Sequence, residues 1–313
     1  MHFNQAELAQ MGAALQKKED HNALVAAAIN SRPINWNAPP KQRPIAEQIA
    51  SLAPAEMAAF TQLRAHCKAY GFPDDLVLRL IRASPGATKF NVATASKVAD
   101  NLFKWNKRVG VLGLTIRDVR AELERGCLSV PGMCNAEGHL TLYMIPAKFC
   151  PGKDSLDELM RSLVYLLQCM SEDERVATVG LSFVANMDGW GWSNWGVRYA
   201  KNFFDTMQGR YPIRVRQFVI LNPPAWFGVI WKAIRGMMSA EFAAKVSTPT
   251  LKDAASLFPS LEHVPVELGG SLDTKAALDA FIRHRYKVEG LDYSAPYAAK
   301  GDGAGMAEGA ATR

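Results

Sequence analysis

The spacing of apolar residues changes once along this chain, near Gly110. Upstream, from Ile45 to Arg108, apolar positions recur every three to four residues, the period of a helix with one buried face. Ile45, Ile49 and Leu52 lead into Pro54, a residue suited to a first helical turn. Met57, Phe60 and Leu63 continue a face that ends at Gly71-Phe72-Pro73. "DDLVLRLIRAS" (74–84) opens on aspartates that favour a helix N-terminus, and 89–108 aligns Val92, Ala95, Ala99 and Leu102. The pattern predicts three or four short packed helices.

Downstream of Gly110, short apolar runs alternate with helical stripes. "CLSVPG" (127–132) reads as a short strand ending in a turn, and 140–149 as a longer strand. Leu156, Leu159, Leu163, Leu166 and Leu167 form the stripe of a helix over 155–170. A strand over 177–188, a helix over 193–208 capped by Ser193 or Asn194, and a strand over 213–221 follow. Segments 225–238 and 239–246 are again helical. Such alternation predicts an α/β unit with a mostly parallel sheet. Leu8, Met11 and Leu15 have helical spacing, 32–44 carries four prolines as an extended linker, and the last twenty residues read as disordered. The predicted units are an N-terminal extension and Pro-rich linker (1–44), a small all-α domain (45–110), an α/β domain (111–288) and a tail (289–313).

Composition narrows the class. At 49% hydrophobic and 21% charged the chain is globular, and 313 residues can bury a core and enclose a cavity. A net charge of +6 suits an acidic membrane surface or nucleic acid without selecting between them. Five scattered cysteines, with no Cys-x-x-Cys pair, fit a reducing compartment. The polar N-terminus is unlike a signal peptide, and no apolar run approaches the ~20 residues of a membrane span. A soluble, cytoplasmic protein with peripheral membrane contact is expected.

The chemical motifs are weak. Gly189-Trp190-Gly191 follows a strand and precedes a helix, as a dinucleotide loop would, but position 194 is Asn and tryptophans flank both glycines. A tight structural turn, with Gly189 at positive φ and Trp195 packed inward, is the better account. Gly180-Leu181-Ser182-Phe183-Val184 lacks the closing glycine of a nucleophile elbow. Cys127, Cys134 and His139 are not spaced as a zinc site, and Asp154, Asp157 and Glu158 suit a helix first turn. No metal and no enzymatic group is expected.

An apolar excess remains over 226–242: Trp226, Phe227, Ile230, Trp231, Ile234, Met237, Met238 and Phe242. The band is wider than an ordinary core stripe. It fits a helix buried on most sides, or an amphipathic lid over a cavity whose aromatics enter a bilayer surface. Lys232, Arg235 and Lys245 lie on the same segments, and Arg214 and Arg216 alternate on the preceding strand, where they would share a face.

At this point the chain resembles the CRAL-TRIO lipid-binding family. "YPIRVRQFVILNPPAWFGVIWKAIRGMMSAEFAAKV" (211–246) resembles its signature of a Tyr-Pro turn, a strand ending in Asn-x-Pro, an aromatic helix and a short helix with a basic end. "VPVELGG" (264–270) is similar to the family's terminal motif, with Val264 and Leu268 as departures, and 76–95 resembles the helical domain that precedes it. The resemblance implies an α/β, mostly parallel sheet with a helical gate over an apolar pocket. It implies a lipid-binding or lipid-transfer function, a bound phospholipid or other small lipid in place of a cofactor, and docking on anionic, phosphoinositide-containing membranes, with no nucleic-acid partner. Ile213 stands where phosphoinositide carriers have Glu, while Lys245 matches their gate lysine. The rival functions are a lipid sensor or small-GTPase-docking module and a nucleotide-dependent enzyme using Gly189 and Gly191.

Packing of strands against the gate predicts the pocket lining. Leu142, Met144, Leu181, Phe183, Phe218 and Ile220 come from the strands, and Phe203 and Met207 from the helix between them. Ile213, Phe227, Ile230, Trp231, Ile234 and Phe242 complete it. Arg214, Arg216 and Lys245, helped by Lys232 and Arg235, are expected to meet headgroups.

Overall fold

Capping chemistry sets the helix boundaries in the computed structural model, which describes residues 33–37, 39, 43–83, 90–173, 176, 179–250 and 257–294. Helices α1 (Ile45–Ala50), α2 (Pro54–Cys67), α3 (Asp74–Arg82) and α4 (Val92–Val109) make the helical region the apolar spacing predicts. Pro54 stands at the start of α2, where Glu56 accepts from the Ala53 N–H (3.1 Å). Asp74 and Asp75 open α3, and the Asn91 side chain accepts from the Thr94 N–H (3.0 Å) to cap α4. Gly110 ends α4 in the left-handed region (φ 67°). The expected helix near Leu8 and the tail beyond residue 294 lie outside the described residues.

After α5 (Ile116–Glu124) the chain enters a five-stranded sheet in the order β1-β2-β3-β4-β5. β1 (Leu128–Ser129) is antiparallel to β2 (Leu140–Met144). β2, β3 (Leu181–Asn186), β4 (Val215–Leu221) and β5 (Val246–Ser247) run parallel. The crossovers carry α6 (Leu156–Met170), α7 (Val197–Asp205) and the pair α8 (Phe227–Gly236) and α9 (Ala240–Ala243); α10 (Thr274–Val288) follows. Parallel neighbours taken in sequence order, with right-handed connections, put the crossover helices on one face. Burial agrees. Leu142, Met144, Leu181, Phe183, Phe218 and Ile220 join α6–α9 in one large core, which also takes in Phe60, Leu63 and Leu102 of the helical region. The other face, with Tyr143, Val184 and Val219, packs under Phe258 and Val264.

Several boundaries differ from the sequence expectation. The strand expected over 140–149 stops at Met144, because Pro146 starts a 3-10 turn and cannot donate to a ladder. The helix expected from 193 starts at Val197. Ser193 and Asn194 instead belong to a 3-10 turn at Trp192–Asn194, and neither caps α7. α7 ends in a wide π turn (Thr206–Arg210) where Gly209 takes φ 131°. The helix expected over 239–246 ends at Ala243, since the Lys245 carbonyl accepts from the Phe218 N–H (2.9 Å) and draws Val246 into the sheet. The segment expected to be a plain linker is pinned. Ile34 N–H donates to the Gly132 carbonyl (2.9 Å), and the Trp36 indole donates to Val130 (2.7 Å) while meeting Phe281 edge-on.

Candidate functional site: an aromatic core under α8 with a basic cavity at its end

All fourteen predicted pocket residues come together. Leu142, Met144, Leu181, Phe183, Phe203, Met207, Phe218, Ile220, Phe227, Ile230, Ile234 and Phe242 are buried in one cluster, with Ile213 and Trp231 packed at its border. The register explains this: Phe183 pairs with Phe218 across β3 and β4, and their rings stack at 5.6 Å. Phe203 of α7 meets both edge-on, at 6.3 and 6.0 Å. Phe242 of α9 closes on Phe204 at 5.9 Å. Residues 227, 230 and 234 repeat at helical spacing, so α8 lays one apolar side on this floor. The apolar side of α8 and these rings thus belong to one cluster, on the face of the sheet where the pocket is expected.

A smaller cavity of about 220 Å³ opens at the edge of the cluster, beside the amino ends of the strands. Ile213, Arg214, Arg216 and Lys245 line it together with Tyr211 and Gln208. Arg214 and Arg216 do not reach it by strand alternation, as expected. Arg214 precedes β4, and Arg216 sits where the register with β3 slips between Leu181 and Ser182. The Arg214 guanidinium donates to the Arg82 carbonyl (3.3 Å), that of Arg216 to the Val179 carbonyl, and Lys245 pairs with Glu241 (2.9 Å). Burial, then the neighbouring Arg216 charge, lowers the Arg214 pKa from the usual arginine value. The Tyr211 side chain is buried with its hydroxyl unpartnered within the protein, and burial pushes its pKa up to about 12. Lys232 and Arg235 do not join this group; they point to solvent from α8.

Gln208, in the π turn, was not singled out by sequence. Its amide donates to the Phe204 and Met237 carbonyls (both 3.2 Å) and accepts from the Ser239 N–H. It thus clamps the junction between α8 and α9 to the wall of the basic cavity. A wider groove of about 700 Å³, lined by Trp36, Phe281 and His284, lies at α10 and contains none of the lipid-site residues except through the shared core.

The Gly-rich corner after β3 is built for shape. Gly189 takes φ 70° as expected, and the Gly191 N–H is engaged by the Asn194 side chain (2.9 Å). Asn194 also donates to the Ala147 and Phe149 carbonyls (both 2.9 Å), tying the corner to the turn after β2. Trp190, not Trp195, is the buried indole; Trp195 is half-buried and meets it edge-on at 6.3 Å. Among the described residues no cluster of His, Cys, Asp and Glu has the make-up of a metal site. No described helix is long and apolar enough to cross a membrane.

The fold is thus a mostly parallel sheet with helices packed on one face, α8 among them, and a basic recess at the end of α8. Residues 123–270 match the family model of the CRAL/TRIO domain, a span that takes in the whole sheet and its crossover helices. The chain is also similar to tyrosine-protein phosphatase non-receptor type 9 of human, mouse and rat, each 21% identical over 186 residues. That stretch covers 59% of this chain but only 31% of those phosphatases. The crystal structure of Sfh5 superposes with a TM-score of 0.45 at 14% identity, covering 56% of this chain and 68% of that one.

Proposed function

We propose that the protein carries a phospholipid or other small lipid between membranes, holding its acyl part under α8 and its headgroup in the basic cavity. The reading rests on one observation above all: the apolar side of α8 closes a continuous aromatic floor, and the cavity at its end gathers Arg214, Arg216 and Lys245. At about 220 Å³ the cavity falls below the ~300 Å³ at which small-molecule sites begin, but it suits a phosphate-sized headgroup. Ile213 borders the cavity in place of a carboxylate, so nothing there repels an anion except Glu241, which Lys245 already engages.

The lipid chains would replace ring–ring contacts as α8 lifts, so the floor stays out of water in both states. The protein docks peripherally on anionic membranes, and its cargo is passed there. Burial raises the Cys127 and Cys169 thiols to about 12, so neither serves as a thiolate nucleophile. Native mass spectrometry of the purified protein tests the reading directly. The expected result is a co-purified lipid whose occupancy falls when Arg214 and Arg216 are replaced by Ala. A protein that emerges empty, and takes up no lipid from vesicles, would sink it.

A further inference from the structure

A cavity of about 300 Å³ lies where α1 and α3 of the helical region meet the end of α6. It opens on another face of α3 from the basic recess: Leu80 and Ala83 line the recess, whereas Asp75, Arg79 and Arg82 line this cavity. Arg43, from the segment before α1, adds a third guanidinium, and Gln168 adds an amide from α6. Both carboxylates in the wall are engaged. Asp75 pairs with Arg79 (2.8 Å), and Glu172 pairs with Arg285, which reaches it from α10 (2.7 Å). The last turn of a helix favours cations by itself, which accounts for the charge of Arg79 and Arg82. It does not account for the burial of Arg79. That side chain is 10% exposed, and its Nε is buried with no hydrogen-bond partner within the protein. A guanidinium taken out of water ordinarily has its N–H groups met, since an unmet donor forfeits its hydration.

We propose that this cavity binds a small soluble phosphate ester, at a site distinct from the recess at Arg214. Arg43, Arg79 and Arg82 would hold the doubly charged phosphate, and Ile45 and Leu78, the apolar part of the wall, would meet its organic group. The planar fork of a guanidinium matches phosphate oxygens with paired hydrogen bonds. Three like charges around one cavity repel each other, and a dianion offsets that repulsion where water is partly excluded. The frame for them is in place. Arg82 Nη1 donates to Gln48 Oε1 (2.8 Å), and Gln48 Nε2 donates to the Arg43 carbonyl (2.9 Å), so one buried amide sets the two arginine-bearing segments side by side. The volume falls at the lower end of small-molecule sites. An occupant would bridge α1, α3 and α6 and so fasten the helical region to the α/β unit. The Arg82 carbonyl also accepts from Arg214 (3.3 Å), which connects the site through α3 to the recess. None of this depends on lipid carriage.

Calorimetric titration and thermal unfolding of the full chain with inorganic phosphate, against chloride at equal ionic strength, test the site. Phosphate should bind and raise the melting temperature by a few degrees, and chloride should do neither. Arg43→Ala and, separately, Gln168→Glu, which sets a carboxylate in the wall at nearly equal size, should each weaken phosphate binding about tenfold. Both side chains are partly or fully exposed, so the melting temperature without phosphate should stay near that of the wild type. The double variant Arg214→Ala, Arg216→Ala removes two cations of the recess and should still bind phosphate. A phosphate effect no greater than that of chloride, or undiminished binding in Arg43→Ala and Gln168→Glu, would overturn the site. Loss of phosphate binding in the Arg214, Arg216 variant alone would assign the anion to the recess and overturn it equally. Vesicles of phosphatidylcholine with phosphatidic acid separate a soluble source from a lipid one. Arg43→Ala should bind them as the wild type does, and a loss there without any response to inorganic phosphate would rule out a soluble ligand.

Discussion

Glu122 is 6% exposed on α5, and neither carboxylate oxygen has a hydrogen-bond partner within the protein. Its nearest cation, Arg125, stands at 3.6 Å and is shared with Asp154. Burial outweighs that attraction and raises the Glu122 pKa to about 7. In the unfolded chain the same group ionises near 4.5. As pH rises from 4.5 towards 7 the unfolded state therefore loses its proton first, and stability falls until it levels off above 7. The loss is about 3 kcal/mol on a shift of this size. Glu122→Gln should match the wild type near pH 4.5 and exceed it in urea midpoint at pH 8. A wild type whose midpoint stays flat over that range would mean that Arg125 holds the carboxylate ionised. Position 122 was illegible in the sequence because only its neighbours reveal that α5 turns this side inward.

At the scale of elements, α8 is held at both ends by groups outside it. The Trp190 ring stacks on Trp226 (4.9 Å) at its start, and Gln208 binds the carbonyl of Met237 and the N–H of Ser239 at its finish. Gln208→Ala removes three hydrogen bonds of about 1 kcal/mol each, partly replaced by water. Amide hydrogen exchange over 227–243 should speed up several-fold more than exchange in α6. Equal protection in wild type and variant would show that the aromatic floor alone holds the helix. Periodicity found α6, α7 and α8 because their stripes are strong and uninterrupted. It erred at ends, where the deciding contact is remote: the Phe218–Lys245 hydrogen bond turns the end of a helical-looking run into β5. The same holds at the corner, where Asn194 looks like a helix cap and serves the turn after β2 instead.

Across the whole molecule, salt distinguishes the docking proposed for the basic cavity from contact through apolar surface alone. Replacing Arg214 and Arg216 by Ala should weaken binding to anionic vesicles by roughly tens-fold, at about 1 kcal/mol per basic residue near such a surface. The loss should shrink at high salt, where exposed charges are screened. Indifference to both the substitutions and the salt would remove the cavity from the docking surface. The double variant also frees the Val179 carbonyl, so its melting temperature is the control for folding.

The division of labour between sequence and tertiary structure follows from range. Local spacing determines which residues face one side of a helix or strand, so the apolar floor, from Leu142 to Phe242, was readable before any coordinates. The same spacing identified α/β alternation, and the resemblance over 211–246 pointed to the CRAL/TRIO domain found at 123–270. Local spacing carries no information on whether two apolar surfaces leave room between them. Only the tertiary structure decides that a cavity lined by Arg214, Arg216 and Lys245 opens at the edge of the cluster, that Arg216 sits at a bulge, and that Lys232 and Arg235 look the other way. Each depends on contacts between segments far apart in the chain, whose side-chain volumes must fit together before any cavity has a size.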